Sequence, residues 1–157
     1  MSTTAITQRK IIRPKTSAVD YGELTGSVGF LLRRVQLDVM GDLIKALAPL
    51  GLRPAQFSVL ALIDANADLA QSDLCAALSI QRANFVSMLD ELESRGLTKR
   101  SVSTRDRRIN TVALTPEGRR VLRRAVEVHV AHETKLLNRL GTKGRGQIAI
   151  LLSRLIE

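Results

Sequence analysis

Aromatic side chains are scarce in this 157-residue sequence: three Phe, one Tyr and no Trp. That scarcity counts against modules that grip single strands by stacking successive bases on aromatic platforms. Cysteine occurs once, at Cys75, which rules out an internal disulfide framework and a multi-cysteine zinc site and fits a reducing compartment. No apolar run reaches the ~18 residues of a membrane span. The early basic residues Arg9, Lys10, Arg13 and Lys15 are not followed by the apolar stretch of a signal peptide, so a cytoplasmic location is expected. There is no Gly-rich phosphate loop, no G-x-S-x-G elbow and no H-E-x-x-H helix. No enzymatic activity and no cofactor are therefore expected.

What the chain does have is apolar material for one modest core, at 45% hydrophobic residues, and a large positive charge. The formal net charge is +9. It is concentrated in residues 95–124, where Arg95, Lys99, Arg100, Arg105, Arg107, Arg108, Arg119, Arg120, Arg123 and Arg124 face only Asp106 and Glu117. A field gathered in this way attracts polyanions, and release of condensed counterions drives binding to duplex nucleic acid. A solvated basic face without a partner is the bland alternative.

Apolar periodicity predicts a mainly α fold with one small β-hairpin. A long helix is expected from Asp20 to about Leu47, stopped by Pro49, Gly51 and Pro54. A second helix starts at Pro54, a position that suits a residue without an N–H, and ends near Asn66. A short third helix begins at Gln71 or Ser72, followed by a tight turn at Ser79-Ile80. The fourth runs from Arg82 to Arg95, with Phe85, Met88, Leu89 and Leu92 on one face and Gly96 suited to a left-handed end. Two strands, Leu97–Val102 and Ile109–Leu114, flank the basic tip Ser103 to Arg108, with Val112 and Leu114 on one face and Thr111 and Ala113 on the other. Thr115-Pro116-Glu117 starts a fifth helix to about Leu140. Gly141 is expected to end it, with Thr142 capping a last apolar helix.

Short helix, tight turn and amphipathic helix make a helix-turn-helix whose second helix suits the roughly 12 Å major groove. With Phe85, Met88, Leu89 and Leu92 turned inward, Arg82, Ala83, Asn84 and Ser87 face out. Arg pairs with guanine, Asn with adenine, and Ala meets a thymine methyl. The arginine-tipped ribbon behind that helix forms a wing: Arg105, Arg107 and Arg108 suit the negative potential of a narrow minor groove. Asp106 suits a charge-assisted bond that holds Arg108, or a plain turn pair. The long terminal helices have no sheet to cover their apolar faces, and two copies burying these faces in a two-fold dimer would set two recognition helices roughly 34 Å apart.

Leu92-Glu93-Ser94-Arg95-Gly96-Leu97, then Asp106-Arg107-Arg108, then Val112-Ala113-Leu114-Thr115-Pro116-Glu117-Gly118 resembles the MarR family of bacterial transcription regulators, over roughly residues 23–157. The resemblance implies a homodimeric winged helix-turn-helix protein on a pseudo-palindromic double-stranded operator, usually a repressor relieved by a small ligand. It implies a basic arm (1–19), an N-terminal dimerisation helix (20–52), a winged DNA-binding domain (53–118) and C-terminal dimerisation helices (119–157). Arg82 to Ser87 then lie on the recognition helix, and Asp106 and Arg108 match the paired acid and arginine of the wing. Gln81 departs from the small hydroxyl residue that often caps that helix.

The resemblance further implies an effector pocket, with Phe30, Arg33, Arg34, Leu37 and Met40 from the first helix and Phe57 and Leu60 from the second. Apolar walls with a few cations suit an aromatic acid or its CoA thioester. The run Val28 to Gln36 is similar to branches of the family that govern aromatic-acid catabolism, including those sensing hydroxycinnamoyl-CoA thioesters. For Arg33 and Arg34, DNA-side charge or interface ion pairs remain the alternative. Cys75, beside Leu74 and Leu78, reads as a buried structural thiol rather than an oxidant sensor. His129 and His132 share a helix face, but two ligands without a nearby acid–cysteine set fall short of a zinc site, and they read as polar or pocket-lining. Rival readings are a non-specific RNA- or nucleoid-binding protein, a protein-interaction module, and a small acyl-CoA enzyme using Arg33 and Arg34.

Overall fold

A computed structural model describes residues 19–102 and 110–156. The chain divides into two compact units, residues 1–41 and 42–157. Helix α1 (Val28–Leu47) runs through the dividing line. After it come α2 (Pro54–Ala65), α3 (Gln71–Ala77), α4 (Arg82–Ser94), strands β1 (Thr98–Val102) and β2 (Asn110–Leu114), α5 (Pro116–Asn138) and α6 (Gly141–Ser153).

In the first unit the expected helix start at Asp20 is displaced. Gly22–Gly26 forms a single 3-10 turn, with Gly22 at φ +48°, and Ser27 is extended. α1 begins only after Ser27, whose Oγ accepts from the Phe30 N–H at 3.4 Å. The Tyr21 and Phe30 rings meet at 5.4 Å.

In the second unit Leu43 and Leu47 of α1 join Phe57, Val59, Leu60 and Ile63 of α2, Leu74 of α3, Phe85, Leu89 and Leu92 of α4, Val112 and Leu114 of β2, and Leu122 and Ala125 of α5 in one core. Pro54 opens α2 as its first residue. The Arg53 N–H is satisfied by Gln56 Oε1 at 2.9 Å, which fixes the entry to the helix. β1 and β2 pair antiparallel, Thr98 opposite Leu114 through Val102 opposite Asn110.

The expected division of β2 into an inner and an outer face fails at Thr111. This residue is buried because Ala70, just before α3, bridges it from the other side and makes a short third rung. Its hydroxyl bonds Ser101 Oγ at 3.0 Å. Gly141 does not end α5. The helix stops at Asn138, and Gly141, at φ +66°, is the first residue of α6, so Thr142 is inside that helix rather than capping it. No single helix among the described residues is long and apolar enough to cross a membrane.

Candidate nucleic-acid interface

The link from α3 to α4 is a tight turn set by Ser79, which adopts φ +51°, unusual for a residue with a side chain. The Ser79 N–H donates to the Ala76 carbonyl at 3.2 Å and the Ile80 N–H to the Cys75 carbonyl at 3.0 Å. These bonds close the end of α3 and aim the chain into α4. Gln81 stands at the cap position and makes no side-chain cap bond. With Phe85, Leu89 and Leu92 buried, the other face of α4 is open, and Arg82, Ala83, Asn84 and Ser87 are all exposed on it. The four residues expected to face outward are therefore all on the exposed side of α4. Arg105, Asp106, Arg107 and Arg108 lie outside the described residues, as does the arm bearing Arg9 to Lys15.

The chain beyond α4 accounts for the spacing of the motifs. Gly96 takes φ +67°, the left-handed end that the sequence predicts. Arg95 folds back, donating from Nη1 to the Gly51 carbonyl at 2.7 Å and from Nη2 to the Leu50 carbonyl at 3.1 Å. It thus ties the end of α4 to the turn before α2. Thr115 joins the far end of β2 to the start of β1: its hydroxyl donates to the Gly96 carbonyl at 2.6 Å, accepts from the Gly118 N–H at 2.9 Å, and so caps α5. The Thr115 N–H reaches the Leu97 carbonyl at 3.0 Å. Gly118 lies so close to Leu97 that a Cβ there would overlap the Leu97 carbonyl oxygen.

Several cations counted toward the basic cluster are committed within the fold. Arg100 pairs with Asp90 and, at 3.1 Å, with Glu93; Glu93 also accepts the Arg100 N–H at 2.9 Å. Arg120 pairs with Glu117; outside the cluster, Arg53 pairs with Glu91. Lys99, Arg119, Arg123 and Arg124 are exposed and form no ion pair with another described residue. Sequence reading missed the Arg100 pairings, because acids on α4 and a base on β1 meet only once the strand folds back on the helix. Cys75 is half-buried rather than buried. It packs against the core and lines a cleft of about 220 Å³ between α3 and α4, together with Arg82 and Phe85.

Residues 50–109 match the model of the MarR family. A regulatory protein assigned to the hcr operon of Thauera aromatica is 31% identical over 86% of this chain and 82% of its own length. The chain belongs to the MarR family of transcriptional regulators. The solved transcriptional repressor CouR, bound to a 23-mer DNA duplex, is 42% identical and superposes with a TM-score of 0.84 over 90% of this chain and 100% of its own. CouR from Rhodococcus jostii RHA1, bound to p-coumaroyl-CoA, is 33% identical with a TM-score of 0.77 over 85% of this chain and 91% of its own.

For a MarR-type regulator the expected effector residues divide between the two units. In the first, Phe30 and Arg34 are half-buried while Arg33, Leu37 and Met40 are exposed. In the second, Leu60 is fully buried in the core and Phe57 lies at its edge, its ring 5.0 Å from that of His129. His129 Nδ1 and His132 Nδ1 are buried without a hydrogen-bond partner among the described residues.

Proposed function

We propose that this MarR-type regulator is a homodimeric, sequence-specific repressor that releases its operator on binding an aromatic acyl-CoA thioester. The observation that carries the reading is the exposed face Arg82-Ala83-Asn84-Ser87 on α4, in a chain 42% identical to a repressor solved on a DNA duplex. Arg82 and Asn84 read bases in the major groove, and Ala83 and Ser87 complete the contact surface. Arg105, Arg107 and Arg108 belong to the wing and approach phosphates or the minor groove, with Asp106 orienting Arg108. Residues 53–118 form the reading domain, and 20–52 with 119–157 the dimer contacts. The exposed Val126, Val130, Leu140, Ile150 and Leu151 of the C-terminal helices support that assignment, since such faces are otherwise costly in water.

Phe30, Leu37 and Met40 supply apolar surface for the acyl group, while Arg33 and Arg34 hold the CoA phosphates; Leu60, with no exposed surface, is core rather than pocket lining. The p-coumaroyl-CoA complex of a 33% identical CouR supports the thioester class. A mobility-shift titration of the DNA upstream of its own gene tests the whole reading. A discrete complex is expected that dissolves on addition of p-coumaroyl-CoA and survives an excess of unrelated duplex. A complex competed equally by any duplex would instead favour the non-specific nucleic-acid-binding reading that the charge alone allows.

A further inference from the structure

α5 carries a second constellation. His129, His132 and Glu133 stand at i, i+3 and i+4 of one helix, so all three side chains project from neighbouring turns. One donor atom from each lies within 4.8 Å of the other two. The His132 side chain is only 8% exposed, and its Nδ1 is 3.9 Å from Glu133 Oε1, beyond hydrogen-bond reach. His129 Nδ1 is likewise buried with no partner among the described residues. Two imidazole nitrogens buried without a partner, beside a half-exposed carboxylate, are an uncompensated arrangement that a cation would complete. Read from the sequence, the histidine pair has no acid–cysteine set; the third donor is Glu133, a single turn from His129.

We propose that His129, His132 and Glu133 form a three-ligand site for a divalent transition-metal ion of the zinc class. The donor set selects against calcium and magnesium, which take oxygen ligands, and matches the nitrogen and carboxylate ligands of zinc. A tetrahedral zinc ion places its ligand atoms ~3.4 Å apart at bond lengths of about 2.0–2.1 Å, so side-chain rotation of about an ångström closes the cluster. Three protein ligands leave one position for an exchangeable group. The ion would fasten adjacent turns of α5 to each other, independently of any ligand held by the arginines of α1.

The chain has only two histidines, which makes the test clean. Tag-free, chelator-stripped full-length protein is titrated with Zn²⁺ against a chromophoric chelator. One ion per chain is expected, with affinity lowered at least about tenfold by Glu133→Gln and more than about a hundredfold by His129→Ala with His132→Ala. Cys75→Ser should leave it unchanged. Wild-type affinity no higher than that of the double variant, or a site lost with Cys75→Ser alone, overturns the proposal. If the double variant fails to fold by circular dichroism, the wild-type imidazole proton resonances decide. Both must shift together and saturate at one equivalent of Zn²⁺; resonances that stay in place overturn it.

Discussion

Gly118 is the residue at which the least chemistry has the largest structural consequence. Its position against the Leu97 carbonyl leaves no volume for a methyl group, and the obstacle is backbone rather than a yielding side chain. Gly118→Ala is expected to destabilise the fold by about 1–3 kcal/mol or more, read as a lower urea midpoint, even though alanine favours helices. A midpoint at or above wild type would show that the strand and helix can separate without cost. Arg95 is the second such residue. Its two carbonyl contacts are charge-assisted, so Arg95→Ala should cost about 1.5–3 kcal/mol, while Arg95→Lys, without the planar fork, should restore only part. Equal stability of all three proteins in thermal unfolding would refute this role.

Among the elements, α4 has two faces that differ in kind, one buried in the core and one exposed. Asn84→Ala removes an exposed side chain from the outer face and should leave stability within about 0.5 kcal/mol of wild type. At the same time it should relax base preference at one position per half-site, as measured by binding to a randomised operator pool. An unaltered preference would take Asn84 out of base readout. The boundaries of α2, α3 and α4 were legible because local signals agree: Pro54 at a helix start, Gly96 at a left-handed end, and apolar residues spaced by three and four between them. The buried Thr111 was not legible, since its cover comes from Ala70, forty-one residues away, and no local pattern announces a partner at that distance. The pairing of Arg100 with Asp90 and Glu93 was hidden for the same reason, and so a count of basic residues overstated the charge left free to meet DNA. The exposed face of α4 was visible from helical spacing alone, whereas the cluster around His129 depended on which donor atoms turn toward each other.

At the level of the whole molecule, charge and assembly set the behaviour. Operator affinity should fall steeply with salt, the logarithmic slope tracking the number of phosphates neutralised, and Arg123→Ala with Arg124→Ala should flatten that slope if these exposed cations reach the backbone. An unchanged slope would place them away from the duplex. Arg33→Ala with Arg34→Ala should leave operator binding intact yet blunt release by p-coumaroyl-CoA, as followed by fluorescence anisotropy of labelled operator. Undiminished release would move these arginines out of the effector site.

The bonds around Thr115 bear on how an effector signal reaches DNA. They rivet the root of the ribbon to the first turn of α5, with the Gly96 carbonyl, the Leu97 carbonyl and the Gly118 amide all held by one threonine. The root of the ribbon and the head of α5 are therefore expected to move as one piece when an effector binds, which slow hydrogen exchange at the Thr115 and Gly118 amides with and without p-coumaroyl-CoA would check.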